Sequence, residues 1–253
     1  MRVFFFRIRT AKKKALIQRF RASIAAMTTA ANLIAELERH ADPAAVAGLE
    51  RYRIVTADRV LGMSVNTIRA IARPHRKRHD LALTLWEAGI YEARFLAVMV
   101  DDPAQVTPAQ MDHWRSGFDN WATCDTACFD LFDRTPHAFD AVDRWANLND
   151  EFGRRASFAL LASLALHAKK LPDQPFLDRL PLIEAAASDS RNFVKKGVSW
   201  ALRGVGRRSA ALHHASTALA ERLAASKIAS ERWIGKDALK DFTNPKLLAK
   251  LGL

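Results

Sequence analysis

Apolar residues recur at i, i+3 and i+4 along almost the whole of this chain, and strand signals are nearly absent. That recurrence is the period of an amphipathic helix and excludes a sheet built on period-2 alternation. Only 10 glycines occur in 253 residues, and hairpin dipeptides are missing. Prolines at 43, 74, 103, 108, 136, 172, 175 and 245 punctuate the pattern. Asp42-Pro43 and Thr107-Pro108 each pair a good N-cap with an N1 proline. The periodicity predicts helices over 28–40, 42–54, 64–73, 77–88, 90–101, 107–118, 120–132, 136–147, 150–168, 174–188, 191–207, 209–226 and 230–240.

A weak repeat runs through these helices. RFLAVMV (94–100), RRASFALLASLAL (154–166), VKKGVSWALRGV (194–205) and RWIGKDALKDF (232–242) each set basic residues at or near the start of a small and apolar run. The last three recur at about 40 residues, the period of stacked helix pairs. The expected fold is all-α: a HEAT-like superhelix of antiparallel pairs, one domain over 27–253, with a concave basic groove.

Charge sharpens this. The formal net charge is +12. Residues 150–253 carry 18 Lys+Arg against 10 Asp+Glu, whereas residues 27–149 carry 13 against 17. A basic half of this kind suits a polyanion. Residues 1–26 hold 8 Lys+Arg and no acid. Their apolar run, Val3 to Phe6, is too short for a secretory signal, and we expect a start-codon miscall with the true start at Met27. No run approaches 18 apolar residues, so no membrane span is expected.

Cys124 and Cys128 sit four apart, a poor disulfide spacing on a helix and half of a zinc site at most. We read them as buried small residues in a reducing cytoplasm. His75 and His79 flank a basic turn and lack a third ligand; no metal and no cofactor is expected. Trp86, Trp114, Trp145 and Trp233 read as packing, and His213 and His214 point to different faces. Trp121 stands four residues before Asp125 in NWATCD (120–125), so a helix stacks the two on one face. If that face is buried, Asp125 needs a structural partner; if it lines a groove, the pair is a site.

NWATCD, RRAS (154–157) and FVKKGVSWALRGVGRR (193–208), with DRVLGMSVNTIRAIAR (58–73), IYEARFLAVMV (90–100) and RWIGKDALKDF (232–242), resemble the AlkD-like DNA alkylation repair family of HEAT-like-repeat DNA glycosylases. The resemblance covers about 28–242. It implies that Trp121, Asp125, Arg155 and Trp200 form the catalytic set, with Arg154 beside Arg155. The chain departs from the family at Ala122, where an acid is frequent, and at Phe152 and Gly153, where a tryptophan is common. We read Arg154, Lys195, Lys196, Arg203, Arg207 and Arg208 as contacts to DNA phosphates.

The resemblance implies a monofunctional glycosylase that hydrolyses the N-glycosidic bond of N3- and N7-alkylated purines in duplex DNA, such as 3-methyladenine and 7-methylguanine, without enclosing a flipped base. An alkylpurine cation is already a good leaving group, and its departure leaves an oxocarbenium-like sugar that a carboxylate would stabilise. The expected protein is a cytoplasmic monomer whose partner is alkylated duplex DNA. The alternatives are a DNA-binding relative without glycosylase activity and a solenoid scaffold for a protein partner.

Overall fold

The computed structural model describes residues 28–253; the expectation about Met27 and the basic block before it lies outside the described residues. The described residues form fifteen α-helices and three short 3-10 turns, and hold no β-strand beyond one isolated bridge between Arg59 and Ile90. In chain order the helices are α1 (Ala30–Arg39), α2 (Pro43–Val46), α3 (Val65–Ala72), α4 (His79–Trp86), α5 (Tyr91–Val100), α6 (Pro108–Ser116), α7 (Trp121–Asp130), α8 (Ala138–Trp145), α9 (Glu151–His167), α10 (Gln174–Leu177), α11 (Leu180–Ala186), α12 (Asn192–Gly206), α13 (Ala210–Ala224), α14 (Ala229–Phe242) and α15 (Pro245–Leu251). None is long and apolar enough to cross a membrane.

Side-chain caps begin many of them. Thr29 and Asn32 form a reciprocal capping box on α1. Ser64, Thr107, Asn120, Asp150, Ser209 and Asn244 each accept a first-turn N–H. Such a cap is worth about 1 kcal/mol, because the first four amides of a helix have no partner within it.

The chain forms two compact units. One comprises Asp58–Asp102 with the described residues up to Gly48; the other comprises Leu49–Ala57 and Pro103–Leu253. In the first, α5 packs on α3 and α4, burying Phe95, Leu96, Val98 and Leu85. The loop before α3 is held by a carboxylate: buried Glu92 accepts the amides of Leu61 (2.9 Å) and Gly62 (2.7 Å). Gly62 adopts φ +86°, and a Cβ there would overlap the Asp42 carbonyl, so both conformation and space require glycine.

In the second unit α9 is the central rod. It packs on α7 and α8, and most extensively on α12, which in turn packs on α13 and α14. Gly197 and Gly204 of α12 lie against the backbone of Arg155 and Ala162 in α9, letting the two helices approach closely. Of α9, residues 155–165 are buried throughout, which is why that run reads as continuous small and apolar residues.

Two expected helices are cut short or split, and one helix is added. The helix expected over 42–54 stops at Val46, and only a 3-10 turn forms at Glu50–Tyr52. Ala44, Ala45 and Ala47 are exposed, so alanine's propensity has no packing to sustain it, and Arg53 turns left-handed at φ 54°. The helix expected over 174–188 splits into α10 and α11, because Pro181 has no N–H to continue the first. α15 was not expected; Asn244-Pro245 repeats the cap-and-proline start of Asp42-Pro43 and Thr107-Pro108.

The remaining expectations can be placed. Cys124 and Cys128 are buried free thiols that donate to the Phe152 and Ala156 carbonyls of α9. Burial pushes the Cys128 thiol well up, so it is an inert packing group. Trp86, Trp114 and Trp145 are buried, as read; Trp233 instead is 39% exposed, with the Lys195 ammonium 4.8 Å above its ring. His79 is not simply solvated but bonds buried Asp101 through Nδ1 at 2.7 Å. His213 is buried against Phe242 and His214 is exposed.

Candidate functional site

The first turn of α7 is pinned before it presents any chemistry. Asn120 accepts the amides of Ala122 and Thr123, both at 3.0 Å, and donates to Asp119 at 2.7 Å. Asp119 in turn accepts the Ala57 amide at 2.8 Å. Trp121 then donates its indole N–H to the Tyr52 carbonyl at 2.9 Å, which fixes the ring. One turn later comes Asp125.

Asp125 meets Arg155 of α9 in a bidentate pair: Nε to Oδ1 at 2.8 Å and Nη2 to Oδ2 at 2.7 Å. The third arm of Arg155 donates to the Phe193 carbonyl, at the start of α12, at 2.8 Å. One guanidinium thus ties α7, α9 and α12 together. Its side chain is 7% exposed and that of Asp125 is 16% exposed. Burial pushes the Asp125 carboxyl above its ordinary range, against the pull of Arg155. Burial also works against the charge on Arg155, but the carboxylate beside it prevails and its pKa is raised.

These groups line an open cavity of about 390 Å³ with Arg51, Arg53 and Lys196. All three of those cations are exposed. A single carboxylate therefore sits in a cationic mouth beside an aromatic ring. Such a mouth can attract a polyanion, and its carboxylate can face a developing positive charge.

The structure brings Trp121, Asp125, Arg155 and Lys196 into this one cavity. Trp200 is not among the residues lining this cavity: one turn past Lys196 on α12, it stacks on Phe129, one turn past Asp125, at 4.6 Å with 10° between the rings and lines a second cavity. Lys196, Trp200, Arg203 and Arg207 nonetheless share one face of α12 by their 4-3-4 spacing. Most of the other expected phosphate contacts are engaged within the protein. Arg154 bonds the Ala146 carbonyl and Asp189. Arg203 lies 3.3 Å from Asp237, and Arg207 is ion-paired to Asp241. Arg208 donates to the Ala165 and Leu171 carbonyls and covers the Phe176 ring. Lys195 lies over Trp233. Lys196 is exposed.

Sequence reasoning missed Arg51, Tyr52, Arg53 and Phe129. Phe129 carried a signal, being four residues past Asp125 on the face that holds Trp121. The 51–53 segment carried none, since it is joined to α7 through a backbone carbonyl, which no residue type announces. At the departures, Phe152 packs on Phe193 at 5.2 Å between ring centres, and Gly153 leaves room for the Asp150 cap. Among the described residues no group of three His, Cys, Asp or Glu could hold a metal ion.

The sequence profile of the family described as "DNA alkylation repair enzyme" matches residues 33–242. No curated protein sequence matches the chain. Among solved structures, one described as "a new family of proteins related to the HEAT-like repeat DNA glycosylases with affinity for branched DNA structures" superposes with a TM-score of 0.69. It is 18% identical, over 84% of this chain and 95% of its own. At that identity the likeness speaks for the fold alone, and the fold is the expected all-helical HEAT-like repeat.

Proposed function

The chain belongs to the DNA alkylation repair enzyme family, and on that premise we propose that it is a monofunctional DNA glycosylase excising N3- and N7-alkylated purines from duplex DNA. The observation that carries this reading is Asp125, held bidentate by Arg155 in an open cavity whose other charged groups are the cations Arg51, Arg53 and Lys196. The cations bring the phosphate backbone to the cavity mouth. Asp125 then faces the sugar from the backbone side, where positive charge grows as the alkylated base departs. It stabilises that charge and orients the attacking water. The Trp121 ring, fixed by Tyr52, walls off competing solvent and offers its face to the electron-poor sugar. Arg155 holds the carboxylate in place, so that little reorganisation is needed during the reaction.

The test is release of 3-methyladenine or 7-methylguanine from methylated duplex DNA by the full chain. Release that is lost in Asp125→Asn supports the proposal. A second reading, DNA binding without excision, is favoured by one specific observation: Arg155 occupies both oxygens of Asp125. Salt-sensitive duplex binding with no base release would establish that reading. Absence of both would leave a protein-binding solenoid.

A further inference from the structure

The second cavity along α12 has a volume of about 590 Å³, within the range of pockets that hold small organic ligands. Its lining differs in kind from that of the Asp125 site. Leu166 and Leu171, 53% and 41% exposed, both line it. Trp200 joins them, and Phe129 covers only one of its faces. Around this apolar wall stand Lys169, Arg203, Arg207 and Lys250. Asp237 and Asp241 compensate the two arginines. Asp173 serves Arg208, 4.0 Å away, and accepts the Ser209 hydroxyl. Lys169 and Lys250 are exposed and have no carboxylate partner among the described residues.

Two uncompensated ammonium groups beside an open apolar and aromatic wall select a ligand with both features. A bare anion would leave the leucines and indole unused. A purely apolar ligand would leave the lysines unused. A flat heterocycle bearing a phosphate satisfies both. We propose that this cavity binds one unpaired nucleotide unit, with its base against Trp200, Leu166 and Leu171 and its phosphate at Lys169 and Lys250.

This nucleotide is not the one Asp125 would act on. Phe193 and Lys196 line the first cavity, Arg203 and Arg207 the second, all on α12. Ten or so residues at 1.5 Å rise separate the two by roughly 15 Å. That is about four base steps at 3.4 Å each between the two centres, with Trp200, about 6 Å of helix rise past Lys196, at the near edge of the second. The same chemistry is offered by an unpaired nucleotide within DNA and by a free nucleoside monophosphate. The DNA case rests on the duplex binding proposed above; the free case does not, and neither requires excision.

The test uses 2-aminopurine, whose fluorescence is quenched on stacking, in undamaged DNA with the full chain. The probes are a duplex with one unpaired 2-aminopurine nucleotide, the same duplex fully paired, and free 2-aminopurine deoxynucleoside monophosphate. The expected result is roughly tenfold tighter binding of the unpaired duplex than of the paired one, the size of one base stacked on an aromatic, with quenching. Leu166→Glu, an exposed position away from Asp125, should abolish that preference and leave paired-duplex affinity within about twofold. The double variant Lys169→Ala, Lys250→Ala should do the same if the first fails to fold. Quenching of the free monophosphate, lost in the same variants, assigns the cavity to free nucleotides. No quenching with either probe, or a preference that survives both variants, overturns the proposal. If no duplex binds, the free monophosphate decides alone. If base release fails while quenching persists, the excision proposal falls and this one stands.

Discussion

Asp125→Asn separates a catalytic carboxylate from a structural one, and the Arg155 pair sets the size of each effect. At about 4 Å from a developing sugar cation and an effective dielectric near 20, a carboxylate contributes about 4 kcal/mol. Its loss would slow bond breaking about a thousandfold. The Arg155 guanidinium lies 2.7 and 2.8 Å from the carboxylate oxygens, and a cation approached across the carboxylate stands on the other side of it. At about 8 Å from the cation it opposes by about 2 kcal/mol. The pair as a unit therefore contributes about 2 kcal/mol, or roughly thirtyfold. Asp125→Asn alone should be about a thousandfold slow, and Asp125→Asn with Arg155→Gln only about thirtyfold slow. The double variant would outrun the single one. Stability behaves separately. The single change leaves a guanidinium that is 7% exposed with the Phe193 carbonyl and one amide oxygen, a cost of about 1–3 kcal/mol. At roughly 2–4 °C per kcal/mol for a chain this size, the melting temperature should fall by roughly 2–12 °C. Single-turnover excision of 7-methylguanine, read beside a thermal melt of each protein, measures both. A rate unchanged in Asp125→Asn, a loss fully explained by unfolding, or a double variant as slow as the single one would refute the reasoning.

Other outcomes follow from the same geometry. Because burial raises the Asp125 carboxyl and ionised Asp125 is the active form, the excision rate should fall with decreasing pH while still above the ordinary aspartate range; a pH-independent rate there would count against it. Lys196→Ala should lower the slope of log K against log salt by about 0.9, the value of one phosphate, whereas Arg207→Ala, whose partner is Asp241, should change it less; equal effects in a DNA titration would show that the ion pair opens on binding. Gly235→Ala should cost at least 1–3 kcal/mol by overpacking, since its Cβ would overlap the backbone of Ala224 and Ala220 in α13, and a chemical denaturation midpoint reads it. Asp189, held below its ordinary pKa by Arg191 and, more weakly, Arg154, adds stability that is complete above the ordinary aspartate range and fades as pH falls through the lowered value. Asp189→Asn should remove about 2 kcal/mol at pH 7 and flatten the acid limb of a melt series.

The architecture was legible because nearly every long helix buries one periodic face, and periodicity is what a sequence displays best. Its failures came where burial and periodicity part. Ala44, Ala45 and Ala47 are exposed, and Pro181 interrupts a run that is otherwise regular. In the site, the Trp121–Asp125 register was visible as a four-residue spacing on one helix. The pairing with Arg155, 30 residues on, depends on how α7 and α9 pack, which spacing alone does not reveal. Reading the basic residues of 195–208 as equally available to phosphate overlooked their partners for a related reason. Asp237 and Asp241 lie on α14, at the spacing of Arg203 and Arg207, and formal charge does not tell a solvated arginine from one facing a carboxylate on a neighbouring helix.

The indole of Trp121 is fixed by a carbonyl 69 residues earlier in the chain. At about 5–20 residues per second, a ribosome finishes Tyr52 several seconds before Trp121 exists. Through that interval Arg51, Tyr52 and Arg53 have no α7 to rest on, while α3, α4 and α5 are themselves being made. The wall of the cavity must then close a loop whose entropic cost grows only as the logarithm of its length. The cavity is complete only once α9 and α12 have added Arg155, Phe193 and Lys196, so the segment made first waits longest for the groups it faces.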